Sequence, residues 1–567
     1  MKGWVKIVIL TLIILICFIV FYYITFSRFF EGPPPISKGS YLELNIYGDI
    51  PERSYSDSFS EVFVGEVPAL DGLLNCIRKA KIDPNIRGII IKPMGLATGW
   101  ARIEELKAAL RDYKTSQKPL YAYLEVAGNR EYYLAIEADM IFGGPESILL
   151  ITGLMGRNYY FKGLLDKIGV EADFVAYGKY KSAPEIFTRK DMSPAHREEI
   201  NALLDDYYER YLADISVTRN IDVRKVEALI DYGIYSLEEA SQKNLVDTLM
   251  FYNEFLDYLE NIDGKFPRLV SYNRYRKISF EKLGVDVQGT VALIYCLGDI
   301  VSGLGGSGAD EGLMIAEGMA DIIKDAAEDK GVQAIVLRIN SPGGSGIAAD
   351  IIWNSVVKAR EKKPVIVSMS DLAASGGYYI AMSADTIVAQ PSSIVGSIGI
   401  YSGKFSMKEL YRKLGVNKIE IPRGDNSNLF SELSTFNDKQ RKIIENHITT
   451  YYQKFVQKAA DGRGLTYEEV DKIGQGRVWT GVQSIQNGLV DKLGGMEDAI
   501  QVAKKMIGTP TESYVKIKIY PQQRSFFERL FSLSVQSQFS KALNILPASV
   551  REYIKGFFYF KDFEPLY

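Results

Sequence analysis

A chain of 567 residues is too long for one hydrophobic core and points to two to four domains. Its 47% hydrophobic and 24% charged residues mark a folded protein, and a net charge of −3 with no basic stripe gives no field for nucleic acid, which is excluded as an expected partner. Cys17, Cys76 and Cys296 lie too far apart for a metal-ligand pattern or a disulfide framework. The two histidines, His196 and His447, sit in charged helical segments and read as solvated surface, so a Ser-His-Asp triad or a His-rich metal site is poorly supported.

Residues Ile7 to Ile24 form an apolar run preceded by Lys2 and Lys6, and it closes on aromatics where a cleavage site would need small residues. The run predicts an uncleaved transmembrane helix within residues 1–30, N-terminus inside, with the rest of the chain outside the cytoplasm. Gly32-Pro33-Pro34-Pro35 reads as a stiff linker.

The remainder repeats itself. Tyr41 to Ile50 has a counterpart in Val291 to Ile300, Gly88 to Lys92 in Ala334 to Arg338, and Tyr132-Tyr133 in Tyr378-Tyr379, the last two pairs at an offset of 246 residues (378 − 132). Both halves alternate short apolar strands with helical stretches, the pattern of βαβ units around a parallel sheet, so an α/β class is expected. The expected domains are 31–275 and 285–506. Long helical stretches follow at Ala195 to Val217 and Asp438 to Gly462, and the pairs Tyr207-Tyr208 and Tyr451-Tyr452 within them read as packing. Residues 507–567 read as an aromatic tail that packs on a neighbouring subunit or on the membrane surface.

Chemistry concentrates where the halves disagree. In the second half, the apolar run Pro364 to Met369 leads through Asp371-Leu372-Ala373-Ala374-Ser375-Gly376-Gly377 into a helix start, which sets a serine on a tight strand-to-helix turn. At the 246 offset Ser375 falls on Asn129, and Gly376-Gly377 on Arg130-Glu131. Conversely, Lys179 and Lys181 of the first half fall on Asp425 and Ser427. One half keeps a serine that the other lacks, and the other keeps lysines. The swap predicts one composite site, with a lysine amine as the base that a serine nucleophile requires. Ser341-Pro342-Gly343-Gly344-Ser345, between a strand and a helix, leaves backbone N–H groups unencumbered, a suitable half of an oxyanion hole whose other half is the N–H of Gly376.

Gly178 to Ala183, Asp191 to Pro194, Asn340 to Ser345, Ala374 to Tyr379, Gly396 to Ile400 and Gly476 to Gly481 together resemble the signal peptide peptidase A family in its long two-repeat form. These are Ser-Lys peptidases of the Clp-protease/crotonase-like superfamily. The resemblance implies a tandem repeat of two such domains behind the membrane helix, with Ser375 as nucleophile, Lys181 as general base in preference to Lys179, Gly344 and Gly376 as oxyanion donors, and Ser397 as a hydrogen-bond support of the lysine. It further implies no cofactor, signal peptides and other hydrophobic peptides as substrates, a homotetramer, and a place in the bacterial cytoplasmic membrane with the catalytic body on the extracytoplasmic side. An acyl-CoA enzyme of the crotonase type and an inactive scaffold are the alternatives.

Overall fold

The computed structural model describes residues 36–54, 68–303, 312–510 and 512–521. The expected membrane span at 7–24 lies outside the described residues, among which no helix is long and apolar enough to cross a membrane. Along the first half run strands β1 (Ser40–Gly48), β2 (Ile86–Leu96), β3 (Leu120–Ala127), β4 (Met140–Leu150), β5 (Glu171–Tyr177), β6 (Ile234–Ser236), β7 (Thr248–Leu249) and β8 (Arg268–Ser271). The second half adds β9 (Val287–Leu297), β10 (Asp299–Val301), β11 (Leu313–Ile315), β12 (Ala334–Ser341), β13 (Val365–Ala374), β14 (Thr386–Ala389), β15 (Ile394–Gly396), β16 (Ile400–Ser406), β17 (Val478–Thr480), β18 (Lys492–Leu493) and β19 (Tyr514–Tyr520).

The packing units do not follow the expected sequence domains 31–275 and 285–506. One unit comprises the described residues up to Ala97 with Ala108–Leu150 and Ile234–Gly284, while Thr98–Lys107 and Ile151–Gly233 belong with the described residues from Val285 onward. The reason is strand pairing. β5, from the first half of the sequence, runs antiparallel to β16, with Ala176 opposite Tyr401, and a pairing between residues so far apart in sequence leaves no local signature.

In the first unit the sheet order is β6-β4-β3-β2-β1-β8, with β7 also beside β4. Its central strands are fully buried apolar runs such as Ile89-Ile90-Ile91, as a parallel sheet covered on both faces requires. Helix Tyr252–Asp263 lays Phe255 and Leu259 on Tyr41, Ile90, Tyr121 and Phe142. At the corner after β3, helix Asn129–Ala135 begins. There the carboxylate of buried Glu131 accepts the N–H groups of Leu96 and of Gly128, the latter at 2.9 Å.

In the second unit the order is β17-β15-β13-β12-β9-β19, with β14 beside β13 and β18 beside β14. Helix Ala316–Glu328 and helix Gly346–Arg360 pack apolar residues such as Met319, Ile323, Ile352 and Val356 into its core. The strand β19 corrects the expectation that everything beyond Met506 is a separate tail. Tyr514–Tyr520 joins the sheet parallel to β9, just as β8 joins β1 in the first unit, and β8 and β19 begin 246 residues apart (514 − 268). The repeat therefore runs past Met506; RLVS and YVKI share a position but too little sequence to reveal it. The chain beyond residue 521 lies outside the described residues.

Candidate active site

Ser375 occupies the corner between β13 and helix Gly376–Ala381, with φ 53° and ψ −118°. A side-chain-bearing residue held in that region stores about 1–3 kcal/mol of strain and persists only where its surroundings impose it. They do so here: the N–H of Ser375 donates to the Gly396 carbonyl at 2.8 Å, and β13 and β15 pair Ala374 with Gly396 immediately before it.

Lys181 enters the same unit on the loop after β5. Its Nζ lies 3.1 Å from Ser375 Oγ, 3.0 Å from Ser397 Oγ and 3.2 Å from the Ser397 carbonyl oxygen. The side chain is buried, and desolvation pushes its pKa down to about 8, against the opposing charge of Glu199. Such an amine is substantially neutral at mildly alkaline pH and can take a proton from the hydroxyl beside it. The aliphatic stem runs against Gly399, where a side chain would come within 3.2 Å of Cδ, and a side chain at Gly476 would meet the Lys181 backbone N at 2.5 Å.

Lys179, the competing lysine, is 62% exposed, leans over the Tyr180 ring, and donates to the Tyr180 hydroxyl at 3.0 Å, which holds its pKa above the usual value. The segment turns at Tyr180 instead of running extended, so the two lysines point to different surroundings. Of the histidines, His447 is exposed, whereas His196 is buried, contrary to expectation, with Nδ1 3.3 Å from the Tyr160 hydroxyl. It occupies the inward stripe of helix Pro194–Arg219 together with Glu199 and Leu203.

The glycine turn after β12 comes up beside the serine. Gly344, at φ 148°, is bridged to Ile300 so closely that a side chain there would strike the Ile300 carbonyl at 2.1 Å, so only glycine fits. A side chain at Gly376 would in turn meet Gly344 N at 3.2 Å, which places the two backbones side by side. Neither the N–H of Gly344 nor that of Gly376 is taken by another described residue. The N–H of Gly343, by contrast, donates to Ser341 Oγ at 3.2 Å. Two unspent N–H groups beside a hydroxyl are what a developing oxyanion needs.

Ser341, which the sequence marks only as part of a turn, has a second function in the structure. Its hydroxyl donates to the Gly298 carbonyl at 2.6 Å while accepting from Gly343, and so clamps the glycine turn to the end of β9. Ser341→Ala is expected to lower kcat about 10-fold with KM within about twofold, because a loosened donor weakens binding of the transition state more than of the substrate. Steady-state kinetics on a peptide substrate measures this, and an equal rise in KM would instead assign Ser341 to substrate binding.

Fold and corner define a serine hydrolase of the α/β class. The chain belongs to peptidase family S49, whose profile it matches twice, over residues 112–264 and 358–509, two segments that begin 246 residues apart (358 − 112), the offset of the repeat. It is a serine peptidase that hydrolyses peptide bonds, and the acyl-CoA and inactive-scaffold alternatives give way. It is 32% identical over 489 residues to the chloroplastic serine protease SPPA of Arabidopsis thaliana, covering 85% of this chain and 71% of that one. It is 35% identical over 456 residues to Protease 4 of Salmonella typhi, covering 77% and 72%. A putative signal peptide peptidase SppA of Enterococcus faecium is 33% identical over 184 residues, 32% of this chain and 54% of that protein.

Proposed function

We propose that the protein cleaves signal peptides and other hydrophobic peptides with Ser375 as nucleophile and Lys181 as general base. The 3.1 Å approach of Lys181 Nζ to Ser375 Oγ carries this reading. The neutral amine takes the hydroxyl proton as Oγ bonds to the scissile carbonyl carbon, and the oxyanion rests on the N–H groups of Gly344 and Gly376. The ammonium then returns the proton to the leaving amine as the C–N bond breaks, which leaves an acyl-enzyme on Ser375. Water gives its proton to Lys181, attacks the ester, and the proton passes back to Ser375 as the acid leaves. Ser397 holds the amine in place by its hydroxyl and carbonyl throughout.

The same reading takes both repeats as Clp-protease/crotonase-like domains, residues 7–24 as a single membrane span, the body as extracytoplasmic on a bacterial membrane, and the assembly as a homotetramer. The test is the pH profile of hydrolysis of a synthetic signal peptide in detergent. Protonated Lys181 is inactive, so kcat is expected to rise with pH through a midpoint at about 8 and then level off. A rate that is flat from about pH 6 to about pH 9 would remove lysine as the base.

A further inference from the structure

We propose that Glu199 is a positioning residue for Lys181: from helix Pro194–Arg219 it braces the turn Gln475 to Val478 on which the amine and Ser397 both rest. The inference rests on Lys181 being the base. The first three residues of that turn bond to Ser397 or to the chain beside Lys181. The Gln475 carbonyl accepts the N–H of Tyr180 at 2.8 Å, next to Lys181. The Gly476 carbonyl accepts from Ser397 Oγ at 3.3 Å, its N–H donates to the Ile398 carbonyl at 2.7 Å, and its missing side chain makes room for the Lys181 backbone. The Arg477 carbonyl accepts the N–H of Ser397 at 2.8 Å. Val478 closes the turn, and its N–H donates to Glu199 Oε1 at 2.6 Å.

Glu199 is 3% exposed, so this is a buried carboxylate on a backbone donor, a bond of the stronger charge-assisted kind. The charged groups around it are Lys181 on the loop after β5, Arg477 on the turn, and Glu185 on helix Glu185–Thr188. On its own helix, Glu198 turns away to Tyr180 and Arg477, and His196 turns to Tyr160 and Glu185. Burial pushes the Glu199 carboxyl up to about 7, so it is ionised where a neutral Lys181 is needed. Its negative charge favours the ammonium form of Lys181 and thus opposes the effect of burial. Brace and charge are separable. Glutamine keeps an acceptor oxygen for Val478 and loses the charge; alanine loses both.

The experiment is the pH profile of kcat and KM on the same peptide for wild type, Glu199→Gln, Glu199→Ala and Lys181→Ala. For Glu199→Gln the acid limb is expected to move to lower pH, since the charge that favoured the ammonium is gone, while kcat on the plateau stays within about threefold because the brace remains. For Glu199→Ala, plateau kcat is expected to fall about 10- to 100-fold at nearly unchanged KM, as a base displaced by a fraction of an ångström predicts. A residue that served folding alone would leave the plateau kcat of folded Glu199→Ala at the wild-type value, and that outcome overturns the proposal. If Glu199→Ala does not fold, a plateau kcat of Glu199→Gln more than about threefold below wild type, with the acceptor still in place, overturns it as well. Activity in Lys181→Ala would sink the base assignment instead, so the two failures are distinguishable.

Discussion

Ser375→Ala and Lys181→Ala are each expected to lower kcat by about 10⁴-fold or more, and the double variant to be no worse than either single one, because a nucleophile and its base act as a unit. The structure makes both losses specific. Ser375 is the hydroxyl at the strained corner, and Lys181 Nζ is 3.1 Å away with its remaining hydrogen bonds already given to Ser397. Lys179→Ala is the internal control. That side chain points to solvent and to Tyr180, so hydrolysis is expected to stay within about twofold of wild type. Measuring the three variants on one signal peptide decides the assignment. Full activity without Ser375 would end it, and a loss confined to Lys179→Ala would move the base by two residues.

The second large effect is on stability. In the middle of β12, Arg338 is completely buried, with its guanidinium 2.6 Å from Glu105 Oε2, 2.8 Å from Ser368 Oγ and 3.2 Å from Ser370 Oγ. Glu105 in turn accepts the N–H of Met496 at 2.6 Å. Both partners are almost without solvent, so removing one strands the other charge in a medium that cannot solvate it. Glu105→Ala is therefore expected to destabilise the second unit by about 3–5 kcal/mol, seen as a fall in its Tm of about 10 °C. Adding Arg338→Met, which removes the stranded charge, is expected to recover more than half of that fall in the same scan. If the double variant melts as low as Glu105→Ala alone, the loss comes from packing and not from the arginine's missing counter-charge.

What could be read from the sequence was what is local. The run Pro364 to Met369 followed by small residues and glycines is a strand that must turn, and β13 with its serine corner is that turn. The comparison of repeats narrows the base to Lys179 and Lys181, a difference in chemistry that does not depend on knowing the fold, and only the family resemblance prefers Lys181. Outside that swap, partnership across long stretches of chain is not legible. Arg338 in an otherwise apolar strand signals that a carboxylate must come to it, but nothing nearby says that Glu105, 233 residues earlier, is the one. Glu199 was hidden for a related reason. Among Arg197, Glu198 and Glu199 each residue looks solvated, and only the helical spacing His196, Glu199, Leu203 shows which side faces inward. The same stripe explains why a histidine in a charged segment is buried.

One corner of the first unit carries a meaning for how the two repeats diverged. Glu131, which stands where the active repeat has Gly377, folds its carboxylate back onto the N–H groups of Leu96 and Gly128. This is the capping-box arrangement of helix Asn129–Ala135, with the carboxylate three residues into the helix closed on the backbone N–H of Gly128. With both N–H groups held by a side chain of the same chain, this corner is fixed from within, whereas the N–H groups of Gly344 and Gly376 at the serine corner are left open.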